Sequence, residues 1–249
     1  VYRLTGSAVL LGTVSFAGQI PVFLLGPLAG AVADRYNRHR LILVTQTISM
    51  LLAAILAALT LSGRVAVWHI VALATLLGAT TAFDVPARQS FFVHMVGRAD
   101  LMNAIALNSS MFNGARMLGP AIAGVLVAAI GEGWCFLLNA ASYLAVITGL
   151  LLMRLDSVNP GLREQSALRD VLDGFRFVIR TGPIHALMIV LGVVSIAGTP
   201  YSVLMPIFAD RILHGGAQTL GLLSSAAGFG ALAGALTIAA RQKTRGLGR

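Results

Sequence analysis

No charged residue occurs between Leu4 and Ala33, and the chain then reads Asp34-Arg35-Tyr36-Asn37-Arg38-His39-Arg40. About 20 apolar helical residues cross a hydrocarbon core of about 30 Å, so this run spans a bilayer with length left for tilt. A basic cluster directly behind such a run holds that end on the cytoplasmic side. One junction thus sets the solvent, the secondary structure and the orientation that the rest of the chain must satisfy.

The remaining sequence repeats the pattern. Windows free of charge, apart from Arg116 in the fourth, run over 8–33, 41–62, 66–83, 103–130, 134–153, 184–207 and 217–240, separated by turns carrying Gly, Pro or charge. Seven spans place the two chain ends on opposite sides. With the Asp34–Arg40 loop cytoplasmic, fourteen of the 18 Lys and Arg fall on that side, against Arg3, Arg64 and Arg211 on the other and Arg116 within a window. Such an asymmetry sets a multi-pass topology. Only 11% of the residues are charged and 57% are hydrophobic, where soluble domains carry about 25% charged residues. The net charge of +9 sits in loops between uncharged runs rather than over a polar surface, which argues against nucleic acid as a partner. We therefore expect an all-α membrane protein in the plasma membrane. Lone Cys135 has no second cysteine for a disulfide or a shared metal. The chain opens at Val1 without an initiator Met, and we expect it to be part of a longer polypeptide.

The loop at 156–183 is the longest. Leu168, Val171, Leu172, Phe175 and Val178 recur at helical spacing, with Arg169, Asp170, Asp173, Arg176 and Arg180 opposite. This pattern predicts an amphipathic helix at the cytoplasmic interface, and the loop reads as a boundary between two bundles.

Few residues can carry chemistry inside the spans. Arg116 lies within the 103–130 window, where a charge costs roughly 2.5–3.5 kcal/mol on insertion scales. It should face the bundle interior or a wet cavity, with Asn113 a helical neighbour; Asn103 and Asn108, at intervals of five, do not complete one strict stripe with them. A structural hydrogen-bond knot or a snorkelling side chain is the alternative. Asp84 ends the third window, and Pro86 biases Val85 away from helix, so Asp84 is expected at a helix end near the cytoplasm. The pairs Gly26/Gly30 and Gly230/Gly234, and Gly119 and Gly124 around Pro120, have the spacing that lets helices pack closely. His69, His185 and His214 are scattered, without metal-ligand spacing. The chain carries no phosphate-binding loop and no grouping that would serve hydrolysis.

Gly30-Ala-Val-Ala-Asp34-Arg35-Tyr-Asn-Arg38-His-Arg40 resembles the loop between the second and third helices of the major facilitator superfamily. Asn37 stands where a second Gly is usual, and Asn tolerates the left-handed conformation of that turn. His39 stands where Arg or Lys is usual. Gly114, Gly119, Pro120 and Gly124 partly match the superfamily's fifth-helix antiporter motif, with its last Gly pair reduced to one. Asp84-Val-Pro-Ala-Arg88, followed by Asn103-Ala-Ile-Ala-Leu-Asn108, resembles the branch that includes the enterobactin exporter and related bacterial efflux proteins.

The resemblance covers nearly the whole chain and carries several implications. The seven windows would be helices two to eight of twelve, in a partial major facilitator fold. Residues 1–155 would be the N-terminal half without its first helix, 156–183 the cytoplasmic linker, and 184–249 the start of the C-terminal half. Gly30, Asp34, Arg35, Arg38 and Arg40 would form a cytoplasmic latch, in which Asp34 engages a helix of the opposite half. A helix N-terminus stabilises a carboxylate by about 0.3–1 kcal/mol, enough to bias two nearly balanced states. The function expected is secondary active efflux of a small amphiphilic solute, a drug or siderophore-like compound, from the bacterial inner membrane by alternating access. The drive would be a proton gradient with no bound cofactor, and the full-length carrier a monomer. Candidate cavity or coupling residues are Asn108, Asn113, Arg116 and Asp84. A facilitator or importer of the same fold, or a non-transporting scaffold or lipid-handling protein, is the alternative.

Overall fold

The computed structural model describes residues 1–96, 100–153, 174 and 176–239. After a single turn at Tyr2–Thr5, the chain forms α1 (Ala8–Arg35), α2 (Arg38–Leu61), α3 (Val67–Met95), α4 (Leu101–Ile130), α5 (Glu132–Leu152), α6 (Gly182–Ile207) and α7 (Ala217–Ala239), with a π-helical turn at Phe208–Ile212 between the last two. Six helices among the described residues are long and apolar enough to cross a membrane, and the seventh window forms α7. Most of the amphipathic segment expected after residue 156 lies outside the described residues; Arg176–Arg180 is helical.

The first two helices begin where the sequence supplies side-chain caps. Ser7 Oγ accepts the Leu10 amide at the start of α1, and Asn37 Oδ1 accepts the Arg40 amide at the start of α2, the bonding that makes Ser and Asn favoured N-caps. Asn37 has φ −63° and ψ 109°. It is extended, not left-handed, so the expectation drawn from its replacement of Gly is corrected. The side-chain cap, not permissive backbone, makes Asn suit this turn. His69 is also used locally, with Nδ1 accepting the Ala66 amide at 3.0 Å.

The third helix also differs from expectation. Pro86 lies inside α3, which continues to Met95, so Asp84 sits in a helix interior and not at its end. Proline removes one backbone donor, a loss that membrane helices tolerate when neighbours satisfy the freed groups. Pro21 and Pro27 likewise lie inside α1, and Pro120 inside α4.

The chain separates into two compact units: Val1–Gly97 with Glu132–Val203, and Arg98–Gly131 with Leu204–Arg249. In the first unit α1 packs on α3, α3 on α2, and α2 on α5. The α1–α3 crossing is so close that a methyl group on Gly78 would collide with the Gly18 backbone. The α2–α5 pair is antiparallel: Gly133 meets Leu61 at one end, and His39 meets Leu150 at the other. In the second unit α4 packs on α7, also antiparallel. A Cβ on Gly124 would lie 2.6 Å from the Ala217 carbonyl, one on Gly221 2.5 Å from the Pro120 carbonyl, and one on Gly228 2.7 Å from the Arg116 carbonyl. By contrast, Gly26, Gly30, Gly230 and Gly234 have no atom within 4 Å of that position. Close approach therefore occurs at different glycines from those the four-residue spacing singled out.

Solvation is inverted relative to a soluble protein. Phe16, Phe23, Trp68, Leu107 and Leu191 are exposed, while Thr45, Gln46, Ser49, Thr80 and Asp84 are buried. Lipid stabilises an apolar exterior, and polar groups inside then hold helices together by hydrogen bonds.

Candidate functional site: a buried carboxylate between two spans

Three polar residues of the 41–62 window fall on one face of α2, while Thr47 is exposed and donates to the Leu43 carbonyl of its own helix. Thr45, Gln46 and Ser49 are buried there together with Ile42 and Leu52, the spacing of a helical stripe. The facing side of α3 carries Thr80, Asp84 and Ala87, also buried. Asp84 is the charged group of this seam and is only 8% exposed.

Its carboxylate is fully engaged. Oδ1 accepts from Thr45 Oγ1 at 2.7 Å and from Gln46 Nε2 at 2.8 Å. Oδ2 accepts from Arg88 Nη2, one turn further along α3. Arg88 is itself 61% exposed in its side chain, so the pair is a buried anion tethered to a cation at the surface. A carboxylate inside a span persists only when paired and hydrogen-bonded, and three donors from two helices meet that demand. Thr45 lies eight residues beyond the Asn37 cap, which at 1.5 Å per residue sets the node about 12 Å in from the α1–α2 turn.

The same end of the unit holds a small apolar cluster of Ala33, Ile42, Ala87 and Leu150, with Leu41, Leu43 and Phe91 packed against it. His39 closes it. Its Nε2 lies 2.8 Å from the Leu150 carbonyl, and its ring centroid 5.9 Å from that of Phe91. A histidine at this place serves as a cap for the last turn of α5, where carbonyls lack helical donors.

The other sequence candidates are arranged as follows. Gly30 lies on α1, and Asp34 and Arg35 close its last turn. Arg35 and Arg38 are half-buried and Arg40 is exposed. In the second unit, Asn113 Nδ2 donates to the Ser109 carbonyl of its own helix at 2.8 Å, and the Arg116 guanidinium lies 5.8 Å from the Phe112 ring centroid. Asn108 and Arg116 are exposed on that unit. Of the fifth-helix motif, Pro120 and Gly124 lie in the α4–α7 contact, whereas Gly114 and Gly119 have open space around them.

Sequence reasoning named Asp84 but missed Thr45 and Gln46, its partners across the helix boundary. Their signal was available as a polar cluster, Thr45-Gln46-Thr47-Ile48-Ser49, inside an otherwise apolar window. The spacing of Asp84 and Arg88, four apart on a helix, is likewise that of an ion pair.

Comparison with known proteins agrees with this architecture. Residues 2–245 match the family described as transmembrane secretion effector, within the major facilitator superfamily. The chain is 28% identical over 235 residues to the staphyloferrin A transporter of Staphylococcus aureus, covering 93% of the chain and 58% of the relative. It is 29% identical over 246 residues to the multidrug efflux pump Tap of Mycolicibacterium fortuitum, covering 95% and 59%. It is 29% identical over 240 residues to the enterobactin exporter of Escherichia coli, covering 93% and 53%. The chain thus spans somewhat more than half the length of these relatives, which are transporters and not enzymes. A match over almost its whole length, on a bundle built for lipid, means that the chain belongs to the transmembrane secretion effector family of the major facilitator superfamily, as a multi-pass protein of the bacterial inner membrane.

Proposed function

We propose that the full-length protein exports a small amphiphilic solute by alternating access, that an inward proton gradient drives it, and that Asp84 is the coupling group. The observation carrying this reading is the Asp84 node: a carboxylate buried inside a span, held by donors from two helices. Keeping such a group in lipid costs stability, and a coupling role supplies the reason for retaining it. In such a carrier, binding and release of a proton change the charge between α2 and α3, and with it the relative stability of two states.

Solute contact is assigned to Arg116, with Asn108 and Asn113, at mid-depth. A cation beside the Phe112 ring suits a solute with an anionic portion and an aromatic or apolar body. The family relatives include a siderophore transporter, a siderophore exporter and a drug pump by name, and the solute proposed here is of that amphiphilic kind. Gly30, Asp34, Arg35, Arg38 and Arg40 are proposed as the cytoplasmic latch, and Gly114, Gly119, Pro120 and Gly124 as the antiporter-like segment. Residues 1–155 and 184–249 are proposed to belong to two halves joined by the 156–183 linker, with the carrier acting as a monomer and needing no bound cofactor.

The test is transport by the full-length protein in everted membrane vesicles. Energised vesicles should accumulate a fluorescent amphiphile such as ethidium, or a radiolabelled siderophore, and a protonophore should abolish accumulation. Accumulation that survives the protonophore would remove the proton-driven mechanism.

A further inference from the structure

The Thr45 hydroxyl has one proton and two acceptors within reach: the Ile42 carbonyl at 3.0 Å and Asp84 Oδ1 at 2.7 Å. A hydroxyl donates once and accepts through its lone pairs. With Asp84 ionised, the Thr45 proton points at Oδ1, which also accepts from Gln46, while Oδ2 accepts from Arg88. With a proton on Oδ1, that oxygen becomes a donor. It can then bond to Thr45 Oγ1, the Thr45 proton turns to the Ile42 carbonyl, and Gln46 still donates to Oδ1. Every polar group of the node keeps a partner in both states. The two differ by one rotation of a hydroxyl, and no helix has to move to satisfy either.

We infer that Thr45 is the positioning residue that allows Asp84 to gain and lose a proton inside the span, by turning its hydroxyl between the Asp84 carboxyl and the Ile42 carbonyl. The inference rests on the reading of Asp84 as the coupling group and names the device that serves it. One proton from the proton-rich side forms the Asp84 O–H bond, and that bond breaks on release to the other side. Thr45 keeps its own proton throughout. The ionisable residues of the helices packed against α3 are Asp34 and Arg35 of α1 and Arg38, His39 and Arg40 of α2, all at their shared turn; on α3 itself they are His69, Arg88 and His94. Arg88 bonds the carboxylate directly, whereas the α2 residues that bond it, Thr45 and Gln46, carry no ionisable group. Arg88 approaches Oδ2, which leaves the proton exchange to Oδ1 and its neutral partners.

The experiment is infrared difference spectroscopy of the purified full-length protein between acid and alkaline buffer. The carboxylic C=O band belonging to Asp84 is identified by its loss in Asp84→Asn. In Thr45→Val the acid loses the Thr45 oxygen as its acceptor, and the band should shift to higher wavenumber; Thr45→Ser, which restores the hydroxyl, should return it to the wild-type position. A band unmoved in Thr45→Val, or moved and not restored by Ser, would overturn the role of Thr45 while leaving Asp84 as a proton site. Absence of any band lost in Asp84→Asn would instead remove Asp84 as the coupling group, and the inference with it.

Discussion

The α2–α3 contact and the α4–α7 contact are both tight helix pairs, yet they are built from opposite materials. The first is specified by polar groups that must find one another: Thr45, Gln46, Asp84 and Arg88. The second is specified by side chains that are missing, with Gly124, Gly221 and Gly228 lying against backbone carbonyls. In lipid neither pair gains from hiding oil, so hydrogen bonding and close packing are the two means available. A contact made of polar groups depends on charge and hydrogen-bond geometry, whereas one made of glycines depends only on volume.

Substitutions can break this contrast. The largest expected effect is at the seam. Gly221→Leu must displace the Pro120 carbonyl, and overpacking of this kind should cost about 3 kcal/mol or more. Monodisperse full-length protein recovered by size exclusion should fall at least tenfold, and normal recovery would show that the helices do not approach this closely. Next is the node. Asp84→Asn keeps the shape and removes the charge, so recovery should stay within twofold while proton-driven export falls about tenfold or more, equivalent to about 1.4 kcal/mol on the transport barrier. Export that persists would reduce the node to a structural fastening.

Two smaller effects sharpen the comparison. Asn37→Ala removes the α2 cap and should cost about 1 kcal/mol in thermal stability, whereas Asn37→Gly should cost only a few tenths. An advantage of Ala over Gly would contradict the side-chain cap. Smallest of all, Gly119→Ala meets open space and should change stability by less than about 0.5 kcal/mol. A large loss would mean that the seam extends along the whole motif rather than over Pro120 and Gly124.

The membrane-spanning architecture was legible because charge is so costly in lipid that span ends announce themselves; α2, α4, α5 and α6 lie within a few residues of their apolar windows. The same logic misplaced the end of α3. Asp84 and Arg88 read as the edge of the membrane, whereas bonding to each other and to α2 lets the helix carry them further. The residue Asp84 was legible, but Thr45 and Gln46 were not, since partners from another helix depend on rotation and register that no local spacing encodes. Glycines show the same limit. Gly26 and Gly30 have the packing spacing and open space around them, whereas Gly18 and Gly78 meet at a crossing that their own neighbours in sequence do not signal. Asn37 was identified as the turn residue for a conformation that it does not adopt, because Asn is suited both to left-handed backbone and to capping.

The joint between α1 and α2 consists of Tyr36 and Asn37 alone, with the Tyr36 amide bonded back to Val32 and the Asn37 side chain bonded forward to Arg40. Such a joint has no slack. If the first helix tilts, the second is levered with it, and the Thr45 stripe turns relative to the carboxyl that it holds. The tilt of one span and the hydrogen bonds around a carboxyl about 12 Å deeper are thereby geared together by a two-residue axle.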